Sequence, residues 1–388
     1  VRQDRVVLLI RSLDIGGAER QLVQLAIGLH RRGLPVLVIT FYDGGALSPE
    51  LERAGVPRWS LGKRGRWDVF GFLLRLAAAL RRARPTVVYG FLVTANTLLA
   101  LLKPLLRGAV VVWGVRASAV DLAKYDFAAR LSYRLERALS WLPDLIIANA
   151  EAGRRHAIAA GFPAARVVVV PNGIDTQRFC RDEEGRRRVR TEWGIGEEES
   201  LVGVVARLDP MKDQATFLRA AQRVAAEMVG VKFVCVGDGP AAYWQEMLQL
   251  AAALGIGERV VWTGGRGDMP AVFSALDIAC SASVGEGFSN AMAEAMACGV
   301  PCVATDVGDT ALLIGEAGRI VPPGDPAAMA AAILDLLRAD PQADAGLRAR
   351  ARDRIVENFG SDALADRTLA AWAATAGARR RMGSVVGS

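Results

Sequence analysis

Read for hydrophobic and polar positions alone, the chain alternates short apolar runs with longer amphipathic stretches. RVVLLIRSL near the start reads as a buried strand, followed by a Gly-Gly turn and the amphipathic AERQLVQLAIGLHRRG. LPVLVITFY, TVVYGFL, GAVVVWGV, DLIIANA and RVVVVPNG are further strand-like runs, separated by helical segments such as VFGFLLRLAAALRRA and AARLSYRLERALSWL. These Val/Ile/Leu runs are continuous and do not alternate with polar residues, which predicts a parallel sheet covered on both faces. Asn172-Gly173 marks a turn, and the polar region Thr176 to Ser200 reads as a linker plus an entry helix. The strand pattern then restarts with LVGVVARL and continues through VKFVCVG, RVVWTG, LDIACSA, PCVAT and GRIVPP. The pattern predicts an α/β protein of two doubly wound, Rossmann-like domains, 1–175 and 176–360, with a closing helix over 361–378. The Arg-, Gly- and Ser-rich tail 379–388 is expected to be disordered.

Composition supports two domains, because 388 residues with 52% hydrophobic content exceed the usual size of one core. The net charge of +7 is divided unevenly. Residues 1–175 hold 25 Lys and Arg against 13 Asp and Glu, whereas residues 176–388 hold 23 against 28. A basic first half suits an anionic membrane surface or lipid phosphate, while an arginine-rich composition throughout is the plain alternative. Nucleic acid is not an expected partner, since no reader motif with interleaved aromatics is present. Cys180, Cys235, Cys280, Cys298 and Cys302 form no CxxC pair and read as small hydrophobes in a reducing compartment. His30 and His156 are too far apart for a zinc pattern. The first apolar run is only strand length, so no signal peptide is expected. Thr97 to Trp113 is broken by Lys103, Pro104 and Arg107, too short and too charged to span a bilayer. The expected location is the cytoplasm, either free or peripheral at the inner face of the membrane.

Candidate chemistry concentrates between Ser281 and Asp309. A short apolar run leads into Glu286, and Asn290 to Cys298 has helix-forming composition closed by Gly299 and Pro301. The N–H groups of Gly287, Phe288, Ser289 and Asn290 then stand at or before a first helical turn, at the positive end of the helix dipole. Glu286 precedes this phosphate seat and Glu294 lies about one turn inside the helix. The carboxylates would suit a sugar and a ribose on either side of a diphosphate; two solvated glutamates on an ordinary strand–loop–helix are the alternative. Arg207 and Lys212 flank a turn after the strand LVGVVARL, where ligands bind in open α/β sheets. They could neutralise a diphosphate or simply be solvated. Gly16 and Gly17 permit close backbone approach to a phosphate or an acceptor, or make a plain tight turn, and the pattern is not GxGxxG. Arg116 could hold an anion or pair with Asp121.

The stretch Glu286-Gly287-Phe288, Glu294-Ala295-Met296, Gly299-Val300-Pro301 resembles the signature of the retaining GT-B nucleotide-sugar glycosyltransferases of family four. VARLDPMKD resembles that family's Arg and Lys pair, and SLDIGGAER its first-domain glycine loop. The resemblance implies a GT-B fold with a cleft between its domains and a last helix returning to the first. It also implies sugar transfer from a UDP- or GDP-linked donor to an acceptor hydroxyl with retention of configuration. Glu286 would touch the donor sugar, Glu294 the ribose, and Arg207 and Lys212 the diphosphate, with no cofactor and no metal. Many members place a cleft histidine where this chain has Arg116, so that role has no counterpart here. A glycan or lipid-linked acceptor in surface polysaccharide or glycolipid assembly is the expected partner. A soluble small-molecule acceptor is the alternative, as is a GT-B nucleotide-sugar epimerase or hydrolase, against which the scarcity of histidine counts. A non-catalytic nucleotide-sugar-binding protein is the rival from another class.

Overall fold

A computed structural model describes residues 5–65, 67–106, 108–116 and 127–386. The chain divides into two compact units, Val1–Gly173 with Ser361–Ser388, and Ile174–Gly360.

The first unit holds β1 (Val6–Ile10), β2 (Val36–Thr40), β3 (Arg58–Ser60), β4 (Val87–Phe91), β5 (Val110–Val115), β6 (Leu145–Ala148) and β7 (Val167–Val169). They form one seven-stranded sheet in the order β3-β2-β1-β4-β5-β6-β7, and every adjacent pair is parallel. Successive side chains of a strand point to opposite faces, so β1 feeds two cores. Val6, Leu8 and Ile10 join Leu22, Leu25 and Trp372 on one face. Val7 and Leu9 join Phe72, Leu76, Leu99 and Trp113 on the other. The closing helix, Ser361–Val386, packs on the helix Gly17–Arg31, where Arg32 donates to Asp366 at 2.9 Å and to Asp362 at 3.0 Å.

The second unit holds β8 (Ser200–Val205), β9 (Val231–Val236), β10 (Val260–Gly264), β11 (Ile278–Ser281), β12 (Cys302–Thr305) and β13 (Gly318–Val321). Its sheet is also parallel, in the order β10-β9-β8-β11-β12-β13. One face packs Leu201, Val234 and Ala279 against Met292 and Met296; the other packs Val202, Phe233 and Cys280 against Phe217 and Met329. The five cysteines are free, and Cys235, Cys280, Cys298 and Cys302 are buried. Burial pushes the thiols of Cys235 and Cys298 up to about 12, so they act as packing groups.

The structure differs from the sequence expectation at three places. β3 is three residues long and partly polar, too short to register as an apolar run. The region after Asn172-Gly173 is mostly no linker. Ile174, Phe179, Val189 and Ile195 are buried in the second core, and the helix Glu183–Glu192 stands between them. Ile174 also donates to Phe359 O at 2.8 Å, which places the division just before it. The third difference is at the end of the chain. The closing helix runs on through Arg379–Arg381 to Val386, where composition suggested a disordered tail from 379. Arg, Met and Ala are strong helix formers, so an existing helix propagates through them at little cost.

Candidate active site

In each sheet the chain winds outward on one side of the first strand and then returns to its other side. The reversals fall between β1 and β4 and between β8 and β11. Loops leaving the carboxyl ends of such a strand pair diverge, which leaves a crevice beside them for a ligand.

At the β8/β11 reversal, the loop after β8 is fixed by two aspartates. Asp209 accepts from the N–H of Met211 at 2.9 Å and so caps the short turn Pro210–Lys212. Asp213, in the left-handed region at φ 44°, caps the helix Gln214–Glu227 through the N–H of Thr216 at 3.1 Å and its hydroxyl at 2.6 Å. A short polar side chain tolerates that backbone region better than most residues. Lys212 is held between the two caps. Its ammonium donates to Glu286 Oε1 at 2.5 Å, and the side chains are 22% and 13% exposed.

Glu286 is fixed from the β11 side. Ser283 donates to the same Oε1 at 2.8 Å, and the carbonyl of Ser283 accepts from Thr305 Oγ1 at 2.6 Å. The loop is joined to the first one through Val284 N–H to Met211 O at 2.9 Å. Gly308 supports it from below, at φ 61°. A Cβ there would stand 2.2 Å from the carbonyl oxygen of Glu286, so only glycine allows this approach. The helix Asn290–Ala297 starts four residues after Glu286, capped at Ser289 without a side-chain bond, and carries Glu294 half-buried in its second turn. Phe288 is buried against Phe359, with ring centroids 5.5 Å apart, so its side chain belongs to the core and only its backbone faces the loop chemistry.

Arg207 stands apart from this pair. Its side chain is 79% exposed and meets Asp209 loosely at 3.5 Å, whereas its carbonyl accepts from Gln214 at 2.8 Å, and Gln214 in turn accepts from Tyr243. The structure therefore brings Lys212 and Glu286 together and leaves the Arg207 guanidinium in solvent. The neighbouring loops interlock closely: Leu208 N–H donates to Asp238 O at 2.9 Å, and Gly237 N–H to Gly264 O at 2.9 Å. Arg266 is structural, bound to Glu192 and Asp268 and stacked on Trp193.

At the β1/β4 reversal, Gly16 caps the helix Gly17–Arg31 with no side-chain bond, and the Glu19 carboxylate folds back over it. A Cβ on Gly16 would lie 2.1 Å from Glu19 Oε2. Burial, with repulsion from Asp14 added, raises the Glu19 carboxyl above its ordinary pKa. The N-terminus of this helix thus already faces a carboxylate, and Gly16 is needed to admit it. Arg116, at the end of β5, is drawn into the protein. It donates to Asn172 Oδ1 at 2.7 Å and to the buried Tyr89 hydroxyl at 3.2 Å, and lies over the Phe91 ring at 4.8 Å. Its Nε has no partner among the described residues, and Asp121 lies outside them. Sequence reasoning missed Ser283, Thr305 and Gly308. Ser283 stands only three residues before Glu286, but nothing in the sequence shows that its hydroxyl turns back onto the carboxylate.

Two family models match the chain: Glycosyltransferase Family 4 over residues 15–178 and Glycosyl transferases group 1 over residues 199–339. The second takes in Arg207, Lys212, Glu286, Glu294 and Gly308. The D-inositol 3-phosphate glycosyltransferase of Mycobacterium marinum is 35% identical over 231 residues, 56% of this chain and 48% of that protein. The GDP-mannose-dependent alpha-(1-6)-phosphatidylinositol monomannoside mannosyltransferase of Mycolicibacterium smegmatis is 33% identical over 217 residues, 53% of this chain and 56% of that one. The chain thus spans about half the length of the curated relatives it matches. The fold is that of Anabaena Alr3699/HepE in complex with UDP-glucose, with a TM-score of 0.83 at 23% identity over 96% of this chain and 100% of that chain. With both sheets wound alike and the two models meeting one unit each, the chain belongs to the group 1, family 4 glycosyltransferases of GT-B fold.

Proposed function

We propose that the protein transfers a sugar, with retention of configuration, from a nucleoside diphosphate to an acceptor hydroxyl. The observation that carries this reading is the Lys212–Glu286 pair at the β8/β11 reversal, directly ahead of the N-terminus of the helix Asn290–Ala297. A cation, a carboxylate and a helix N-terminus within one loop system match the three parts of a nucleotide sugar's reacting end. Lys212 and the N–H groups of Gly287, Phe288, Ser289 and Asn290 would take the diphosphate, with Arg207 swinging in from solvent. Glu286 would accept from sugar hydroxyls and Glu294 from the ribose. The bond from the sugar's anomeric carbon to the phosphate oxygen breaks, the acceptor oxygen bonds to that carbon on the same face, and its proton passes to the departing phosphate. This route needs no histidine base. Gly16 and Gly17 remain the first unit's candidate contacts to donor or acceptor, whereas Arg116, held by Asn172 and Tyr89, is assigned to structure.

The similarity to proteins named for inositol 3-phosphate and for a phosphatidylinositol mannoside supports an acceptor that carries phosphate, lipid-linked or soluble. A bilayer-resident acceptor would agree with the basic first unit. No helix among the described residues is long and apolar enough to cross a membrane; the proposed meeting with such an acceptor is at the membrane surface. Incubation with labelled UDP- and GDP-sugars, with and without lipid acceptor, tests the proposal. Transfer to an acceptor supports it; donor isomerised, hydrolysed or retained intact overturns it. Undiminished transfer in excess chelator is expected, and abolition by EDTA with rescue by Mn²⁺ or Mg²⁺ would replace the lysine-based account with a metal-based one.

A further inference from the structure

The helix Phe70–Ala83 is apolar on two sides. Phe72, Leu76 and Leu80 fill the core, as a surface helix requires. On the opposite side Phe70 is 77% and Leu74 58% exposed, and just before the helix Trp67 is 90% and Val69 55% exposed. A globular surface seldom gathers four large apolar side chains at such exposure within eight residues. The patch lies at the carboxyl end of the first sheet, since the chain enters it directly after β3, the end that also bears Gly16 and the 71%-exposed Ile15.

The charge around the patch has one sign. From Lys63 to Arg75, the stretch that contains the patch, the chain carries four basic residues against one acidic. The one acid, Asp68, is turned inward onto Arg75 and the N–H of Arg64. Arg64, beside the patch, is exposed; Arg81, Arg82 and Arg84 stand at the other end of the helix, where the Arg84 carbonyl accepts from Arg5 ahead of β1. A second copy of this chain would set one such positive surface against another. An apolar crown of Trp and Phe within a basic surround is complementary to the interface of an anionic bilayer.

We propose that Trp67, Val69, Phe70 and Leu74 insert into an anionic membrane, with Lys63 and Arg64 on its phosphates, so that the carboxyl end of the first sheet faces the lipid. The proposal deepens the surface-acting reading above and adds a component that salt does not screen. The test is co-sedimentation of the full chain with vesicles of phosphatidylcholine alone or with phosphatidylglycerol. Wild type should partition onto the anionic vesicles and retain part of that binding at high salt. The substitutions W67S, F70S and L74S together should lower partitioning at least tenfold without altering nucleotide binding, which also checks folding. A blue shift of tryptophan emission with anionic vesicles should disappear in W67F. Loss of binding only when Arg130, Arg134 and Arg137, which share one face of the helix Phe127–Leu139 at i, i+4 and i+7, are changed to Glu, with the triple-serine variant unaffected, would overturn the insertion while leaving the membrane reading intact. Wild type that sediments with neither vesicle overturns both. A dimer dispersed by the triple-serine variant would assign the patch to self-association and overturn it too.

Discussion

The two strand reversals share a topology and differ in chemistry. At β8/β11 a lysine and a glutamate from different loops meet at 2.5 Å, each loop fixed by caps, a serine and a glycine. At β1/β4 the loop after β1 holds a carboxylate folded onto its own helix, and Arg116, at the end of the neighbouring β5, is bound to Tyr89 and Asn172. The winding of a parallel sheet decides where a crevice opens, and the side chains on the loops decide what it can hold. The second reversal has a lysine and a glutamate paired at low exposure, with Arg207 left in solvent beside them. The first has its polar groups engaged, and the exposed apolar side chains of this unit gather farther out, after the edge strand β3.

The sharpest way to break this comparison is to remove the cation. Lys212→Met should lower kcat/KM by about 10²- to 10³-fold, the usual cost of losing a preorganised charge opposite a leaving group. Steady-state kinetics with the identified donor would show it, and a change under threefold would move the diphosphate contact to Arg207. Glu286→Gln should be almost as severe in turnover, about 10²-fold, because the contact proposed for it is with the reacting sugar. Its effect on nucleoside diphosphate affinity should be absent or slightly favourable, since Lys212 is released from its partner; calorimetry with the free nucleotide would detect either. Weakened nucleotide binding with normal turnover would reverse the assignment.

Arg116→Met tests the other reversal. Because the guanidinium bridges Asn172 and a fully buried Tyr89, the variant should lose about 1–3 kcal/mol of stability while nucleotide affinity and KM stay within twofold. A tenfold loss of affinity in a normally folded variant would make Arg116 a ligand contact instead.

The smallest effect concerns Glu136, on the helix Phe127–Leu139. Buried and bonded to Asn96 at 2.7 Å, its carboxyl is pushed up to about 7 by desolvation. The folded state therefore holds a proton that the unfolded chain releases near pH 4.5, so stability declines as pH rises between those values. Glu136→Gln keeps an acceptor for Asn96 and removes the titration. It should gain up to about 3 kcal/mol above pH 7 and little below pH 5, read from denaturant midpoints across pH. A parallel profile for both proteins would mean that Glu136 does not titrate in this range.

Much of this was legible in the sequence for a physical reason. Strands covered on both faces must be continuous apolar runs, and β1, β4, β5, β8 and β9 are; helix ends must be capped, and Gly299 stands at positive φ just past the helix it was expected to close. Glu286, Glu294, Arg207 and Lys212 could be singled out as candidates because the chemistry of a helix N-terminus after a strand is local. What the sequence could not decide are distances between residues far apart along it. Lys212 and Glu286 are 74 positions apart, and Arg116 and Asn172 are 56. Only the order of strands in the sheet brings the first pair together, and only the inward turn of Arg116 onto Tyr89 removes it from solvent. The same holds for the patch at Trp67: composition shows apolar residues, but which of them the core takes and which it leaves outside is settled by the face that packs on the sheet.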